Sequence, residues 1–144
     1  MRPFEKVYTV TDYNDGPRAG VADFNGTPHL YESEWNDIER VNGDTYKLSP
    51  IDNHTFELAR ESWEIWLRWE RAFHDGFETI DTHGARAADR PRHAQLQQLL
   101  QSRLVTAQRP IRATGAWRRD LERPWDGKGH SAPLEVQWNP VGLM

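Results

Sequence analysis

The chain has 144 residues, which suits one domain with a single core and is short for two domains. It contains no cysteine, which excludes disulfides, thiolate nucleophiles and cysteine-based zinc sites and predicts a reducing, cytoplasmic location. No apolar run approaches the roughly 20 residues that span a bilayer, so we expect no membrane partner. The seven Trp, four Tyr and five Phe concentrate enough apolar area for a compact core.

Charge is distributed unevenly along the chain, whose net charge is −4. Residues 1–81 carry 8 Lys and Arg against 17 Asp and Glu, which gives −9, and residues 82–144 carry 10 against 5, which gives +5. We expect the two halves to attract each other within the fold or across an oligomer contact. The acidic half would repel phosphates, so nucleic acid is a disfavoured partner.

Residues 1–50 have the pattern of a β-meander. The segment 6–10 is rich in β-branched and aromatic residues, and a turn sequence follows it. Another strand is predicted at 44–49, after a polar loop from 36 to 43.

Asn25-Gly26 predicts a tight hairpin, because a type I′ turn needs a positive φ at both central residues. With a two-residue loop, residues whose numbers sum to 51 face each other across the hairpin. One face of the ribbon then carries small residues that leave space beside His29 and Tyr31. The predicted pairs are Phe24 with Thr27, Ala22 with His29, and Gly20 with Tyr31.

A long helix is predicted from 52 to 75. Asp52 is a suitable N-cap, and Ile51 can pack on Phe56 as a hydrophobic staple. At the other end, His74 suits the negative end of the helix dipole, and Gly76 suits the residue after the C-cap.

The remaining third of the chain contains one more helix and two more strands. After an irregular segment, residues 91–108 predict a helix with a narrow leucine stripe, which Pro110 ends. Alternation then predicts strands at 111–117 and 134–139, separated by a polar loop rich in Gly and Pro. The expected fold is a single α+β domain, in which an antiparallel sheet of the meander and the two C-terminal strands packs on both helices.

The long helix has an apolar face about twice as wide as a helix on one surface needs, about 220° by projection. The stripe of Trp63, Trp66 and Trp69 is therefore predicted to serve mainly in packing. One layer cannot cover this face, so a second element must contribute. The candidates are the helix 91–108, the C-terminal strands or a second protomer in a homodimer.

Glu70 and His74 interrupt the apolar side of this helix, four residues apart. A carboxyl group among indoles must find partners, because its burial without them costs several kcal/mol. In one interpretation Glu70 forms an ion pair with an arginine of the basic half. In the other, Glu70 and His74 line a site walled by Trp66 and Trp69.

Other candidate groups carry weaker signals. His29 beside Tyr31 can be a structural residue or a ligand contact, and Arg118 and Trp125 lie in a basic loop that could hold an anionic group. The segment 74–84 contains metal-capable side chains, but their spacing matches no metal motif, so no metal site is predicted. No phosphate-binding or dinucleotide fingerprint is present, and no cofactor is predicted.

Two functions remain open from the sequence. The favoured one is a non-enzymatic binding or regulatory module that recognises a protein partner or a small ligand through Trp66, Trp69, Tyr31, Arg118 and Trp125. The alternative is a small acid–base or metal-assisted hydrolase that uses Glu70, His74 and His29.

Overall fold

The computed structural model describes residues 2–142, apart from the side chains of residues 41 and 42. Four strands precede two helices, and two further strands follow them, as expected for an α+β chain. The strands are β1 (Phe4–Tyr13), β2 (Pro17–Phe24), β3 (Thr27–Asn36), β4 (Val41–Pro50), β5 (Ile111–Arg119) and β6 (Leu134–Pro140). The helices are α1 (Asn53–His74) and α2 (Arg90–Arg103), with short 3-10 turns at Ile80–Thr82 and Ala87–Asp89 between them.

The antiparallel sheet closes into a barrel, which corrects the prediction of a sheet layer packed on the helices. Each strand pairs with its neighbour in sequence, and β1 also pairs with β6, where Phe4 lies opposite Gln137. Closure satisfies the backbone groups that the edges of an open sheet would leave unpaired. The helices therefore lie on the outside of the barrel, against the outward-facing side of its strands.

Four aromatic side chains fill the barrel interior, with ring centroids no more than 6.1 Å apart between neighbours: Tyr31, Tyr46, Trp117 and Trp138. A six-stranded barrel is narrow, so large rings need small neighbours on facing strands. Gly20 lies opposite Tyr31, and Gly115 lies opposite Trp138. This alternation of large and small residues explains why the sheet can close around them.

The predicted β2–β3 hairpin is confirmed in both turn and register. Asn25 and Gly26 have φ values of 54° and 76°, as a type I′ turn requires. The three predicted residue pairs are all present, from Phe24 opposite Thr27 to Gly20 opposite Tyr31.

The ends of α1 also agree with their prediction to within one residue. The Asp52 side chain accepts a hydrogen bond from the Thr55 N–H at 2.7 Å, which confirms the N-cap. At the C-terminus, the Gly76 N–H donates to the Phe73 carbonyl, and the Phe77 N–H donates to the Ala72 carbonyl. These two bonds form a Schellman motif.

Several predicted boundaries are wrong by three residues or more. Strand β1 continues to Tyr13, into the turn predicted after residue 10. Strand β4 begins at Val41, inside the predicted loop 36–43, because the β3 strand continues to Asn36 and a short turn joins the two. Helix α2 ends at Arg103 instead of residue 108. The Ser49 hydroxyl accepts the Ala107 N–H at 2.8 Å, so this segment bonds to the barrel and not to its own helix.

Helix α2 covers one flank of the wide apolar face of α1. Leu58 and Ile65 of α1 form a buried cluster with Leu96 and Leu100 of α2 and with Val21 on the outside of the barrel. The prediction that the second helix covers part of the apolar face of α1 is therefore confirmed. A homodimer remains a prediction. None of the helices in residues 2–142 has the length and hydrophobicity that a membrane span requires.

Several ion pairs join an acid of the first half to a base of the second half. Part of the expected attraction between the halves therefore occurs within one chain. These pairs are Glu34–Arg112, Glu61–Arg92, Glu78–Arg86 and Asp75–Lys128.

Candidate functional site

The other flank of α1 borders an open cavity of about 1540 Å³. Helix α2, the end of β1, the end of β5 and the segments 77–89 and 120–133 contribute its remaining walls. Its lining includes several aromatic side chains beside polar and aliphatic ones: Trp63, Trp66, Trp69, Phe73, His83, Trp117 and Trp125. A concave surface that combines aromatic side chains with a few polar groups is a candidate small-molecule site.

A row of stacked rings runs along α1 at the cavity. Trp66 stacks on Trp69 with ring centroids 5.4 Å apart, and Trp69 stacks on Phe73 at 5.0 Å. Their spacing of three and four residues places them on one helix face. The His83 ring lies in a T-shaped arrangement with both tryptophans, with ring centroids 5.2 and 4.9 Å apart.

Hydrogen bonds fix the orientation of these two indoles. Trp66 Nε1 donates to Ser131 Oγ, and Trp69 Nε1 donates to Thr82 Oγ1, both at 3.1 Å. The Thr82 hydroxyl donates in turn to Glu78, and this bond, with a further one from Arg86, holds the pKa of Glu78 below its usual value. The rings are therefore oriented before any ligand arrives, which lowers the entropy cost of binding.

Glu70 lines the cavity within this aromatic surface and is only 7% exposed. Its carboxyl group accepts a hydrogen bond from the His130 N–H at 3.4 Å, which is long for such a bond. Among the described residues, no side-chain nitrogen of Arg, Lys or His lies within 4.0 Å of its oxygens. The predicted ion pair with an arginine of the basic half is therefore wrong within this part of the chain.

The backbone at Gly129 lies directly against Glu70. A Cβ at this position would lie 2.6 Å from the carboxyl carbon and Oε1 of Glu70, and Gly129 has a φ of +79°. Only glycine can therefore occupy this position without displacing the carboxyl group or the loop.

The cations around Glu70 are engaged with other groups. The Lys128 side chain contacts Asp75, and the Arg71 guanidinium lies 3.1 Å from the Asp126 carboxylate. A hydrogen bond from the Lys128 N–H and the charges of Arg71 and Lys128 lower the pKa of Asp126. At the far wall, two arginines are held by acids or rings in the same way: Arg118 by Glu135 and the Phe4 ring, and Arg119 by the Trp125 ring.

Two histidines lie at the mouth of the cavity beside Glu70. The rings of His74 and His130 are 6.1 Å apart, and both side chains line the cavity. In the described residues, no three His, Asp or Glu side chains are grouped closely enough to hold a metal ion.

Most of the residues predicted for a site come together at this cavity. Trp69 is 3% exposed and serves mainly in packing, whereas Trp66 is half-buried at the cavity wall. The predicted residues that line the cavity are Trp66, Trp69, Glu70, His74, Arg118 and Trp125.

His29 and Tyr31 lie elsewhere. Tyr31 is fully buried in the barrel, where its hydroxyl donates to the Thr9 carbonyl at 2.8 Å. His29 Nδ1 lies 2.7 Å from the Thr27 carbonyl, and its ring packs edge-on against Phe24. Neither residue is in the cavity wall, because the small residues of the hairpin face create space inside the barrel, not outside it.

From the loop 120–133, the sequence prediction included Trp125 but missed three further residues that reach the site, Gly129, His130 and Ser131. In the structure, Gly129, His130 and Ser131 contact Glu70 and Trp66 from this loop. His83 likewise lies in a segment whose sequence predicts an ordinary loop. The only sequence signal is the clustering of Gly, His and Ser at 127–131, which does not reveal which helix the loop meets.

Comparison of the chain with protein-family models, curated proteins and solved structures gives no match. The interpretation of the cavity therefore depends on its geometry alone.

Proposed function

We propose that this protein is a non-enzymatic binding module that takes a small, flat organic molecule into the cavity beside α1. The observation that carries the proposal is the row of Trp66, Trp69 and Phe73, stacked at 5.0–5.4 Å along one wall of a cavity of about 1540 Å³. A flat ligand can add one more ring to such a row, which gains offset stacking and burial of apolar area.

The shape of the site favours a small ligand over a protein partner. A concave cavity with oriented rings buries most of the surface of a small molecule, whereas protein interfaces are generally larger and flatter. Because the indole N–H groups of Trp66 and Trp69 already donate to Ser131 and Thr82, the cavity wall needs little rearrangement to accept a ring.

The alternative of an acid–base hydrolase has weaker support. It required Glu70, His74 and His29 to act together, and His29 is not part of the cavity wall. General acid–base catalysis requires the reacting groups to be within hydrogen-bond reach of one substrate. Glu70 and His74 alone are better explained as polar contacts that orient a ligand.

Replacement of Trp66 by alanine is expected to weaken binding of indole, used as a neutral bicyclic probe, by about tenfold, which corresponds to about 1.4 kcal/mol of lost stacking. Trp66→Phe should retain most of the affinity, because it keeps an aromatic face. Isothermal titration calorimetry on the full chain measures both effects.

Trp35→Ala is the matched control, because Trp35 is 54% exposed on β3 and is not part of the cavity wall. Its affinity for indole should equal that of the parent. Absence of indole binding to the parent, or equal losses in the Trp35 and Trp66 variants, would contradict the proposal.

A further inference from the structure

Glu70 is an unusual group to find in an aromatic wall. Its side chain lines the cavity and is only 7% exposed. Among the described residues, the one hydrogen bond that its carboxyl group accepts is a long one from the His130 N–H. A carboxyl group with so few partners costs folding free energy, which an apolar residue at this position of α1 would not. A costly polar group in a cavity is typical of a ligand contact.

We propose that the ligand is an organic cation, an alkylamine that carries an aromatic or heteroaromatic ring, whose ammonium group pairs with Glu70 while its ring stacks on the tryptophan row. This inference depends on the proposed binding function and specifies its ligand class. A primary ammonium group offers three donors, and the carboxyl group has free acceptor positions.

The aromatic surroundings add to the preference for a positive charge. Trp66 and Trp63 line the cavity about one and two helical turns before Glu70, so a cation at the carboxyl group can also approach indole faces. A desolvated cation over an indole face is attracted by the negative face of the ring. An anionic ligand would be repelled both by the negative faces of the indoles and by the Glu70 carboxylate.

The arginines of the cavity do not reverse this preference. Arg118 lies against Glu135 and over the Phe4 ring at 3.6 Å, and Arg119 lies over the Trp125 ring at 4.8 Å. Their charges are therefore partly neutralised or already used in contacts within the chain. Glu70, in contrast, is a buried acidic residue of the cavity wall, and no basic side chain among the described residues forms an ion pair with it.

A series of three probes with one ring system tests the inference. Tryptamine is a cation, indole-3-ethanol is neutral and indole-3-acetate is an anion, and the three are similar in size. Calorimetric titration of the full chain at pH 7 should give tryptamine an affinity at least about tenfold higher than that of the alcohol, as expected for a charge-assisted hydrogen bond. Indole-3-acetate should bind most weakly.

Glu70→Gln should abolish the difference in affinity between tryptamine and the alcohol. Far-UV circular dichroism and a thermal melt of the variant show independently whether it is folded. Glu64→Gln, on the exposed polar face of the same helix, is the matched control and should keep the parent preference. If Glu70→Gln does not fold, Glu70→Asp should retain part of the preference, because it keeps a carboxyl group at the same position.

The outcomes separate this inference from the proposed function. Equal affinity for tryptamine and the alcohol, tightest binding of the acid, or an unchanged preference in Glu70→Gln would overturn the cation assignment and leave the binding function standing. Failure of all three probes to bind would overturn both.

Discussion

Replacement of Gly20 by alanine is expected to lower the free energy of unfolding by about 3 kcal/mol or more, because the barrel has no space for the added methyl group. A Cβ at this position would lie 2.1 Å from the Thr9 carbonyl oxygen and 2.6 Å from the Tyr31 hydroxyl. Both atoms are held in place, since the Tyr31 hydroxyl donates to that carbonyl. Relief of the overlap must break this bond or separate β1 from β2.

Gly26→Ala is the control for this prediction. Gly26 has a φ of +76°, but a Cβ there would have no neighbouring atom within 4 Å, so alanine costs only the backbone strain of a positive φ, about 1 kcal/mol. Urea unfolding of the two variants and the parent gives both values. If Gly20→Ala is no more destabilising than Gly26→Ala, the tight approach of β2 to β1 is wrong.

Replacement of Arg123 by methionine is expected to lower the free energy of unfolding by about 3 kcal/mol, because this residue connects the loop 120–133 to two strands. Its guanidinium donates to the Val7 carbonyl of β1 at 2.9 Å and to the Leu134 carbonyl of β6, and it pairs with Asp120 at 2.7 Å. Asp120 is 8% exposed. Methionine keeps an apolar chain about as long as the aliphatic part of arginine but leaves the carboxylate and both carbonyls without this donor.

Arg112→Met removes an ion pair of the same length, 2.7 Å to Glu34, from an exposed position on the barrel. Exposed pairs contribute little, so this variant should lose no more than about 1 kcal/mol. Thermal melts of both variants measure the contrast. Similar melting temperatures for the two would show that the Arg123 contacts do not stabilise the native state.

Local structure was the most predictable part of this fold. The register of the β2–β3 hairpin follows from Asn25-Gly26 alone, because a type I′ turn fixes which residues face each other. Similarly, Asp52 and Gly76 define the ends of α1 through contacts within a few residues. Such features depend on sequence neighbours, so a single sequence can reveal them.

Barrel closure was not predictable in the same way. It depends on pairing between Phe4 and Gln137, which are far apart in sequence, and on the fit of Tyr31 and Trp138 to glycines on facing strands. Alternation predicts that a strand has two faces, but not whether the inner face meets a helix or the opposite wall of a barrel. For this reason Tyr31 was predicted to contact a ligand and instead fills the barrel interior.

Only one wall of the candidate site, the wall formed by α1, could be predicted from the sequence. Periodicity on α1 identified Glu70 and Trp66 as residues on one side of a single helix. The opposite wall comes from the loop at 129–131, whose position depends on contacts between α1 and residues far along the chain, such as the bonds from His130 to Glu70 and from Trp66 to Ser131. The spacing of residues in the sequence contains no information about that contact.

The central claim is that a small ligand binds beside α1, and fluorine NMR of protein labelled with 5-fluorotryptophan tests it most directly. The seven tryptophans give one reporter each, assigned by single Trp→Phe variants. Titration with indole, the neutral probe, should shift the resonances of Trp63, Trp66 and Trp125, which line the cavity, and leave those of Trp35 and Trp138 unchanged. A spectrum in which no resonance moves, or in which the Trp35 resonance alone moves, would contradict the claim.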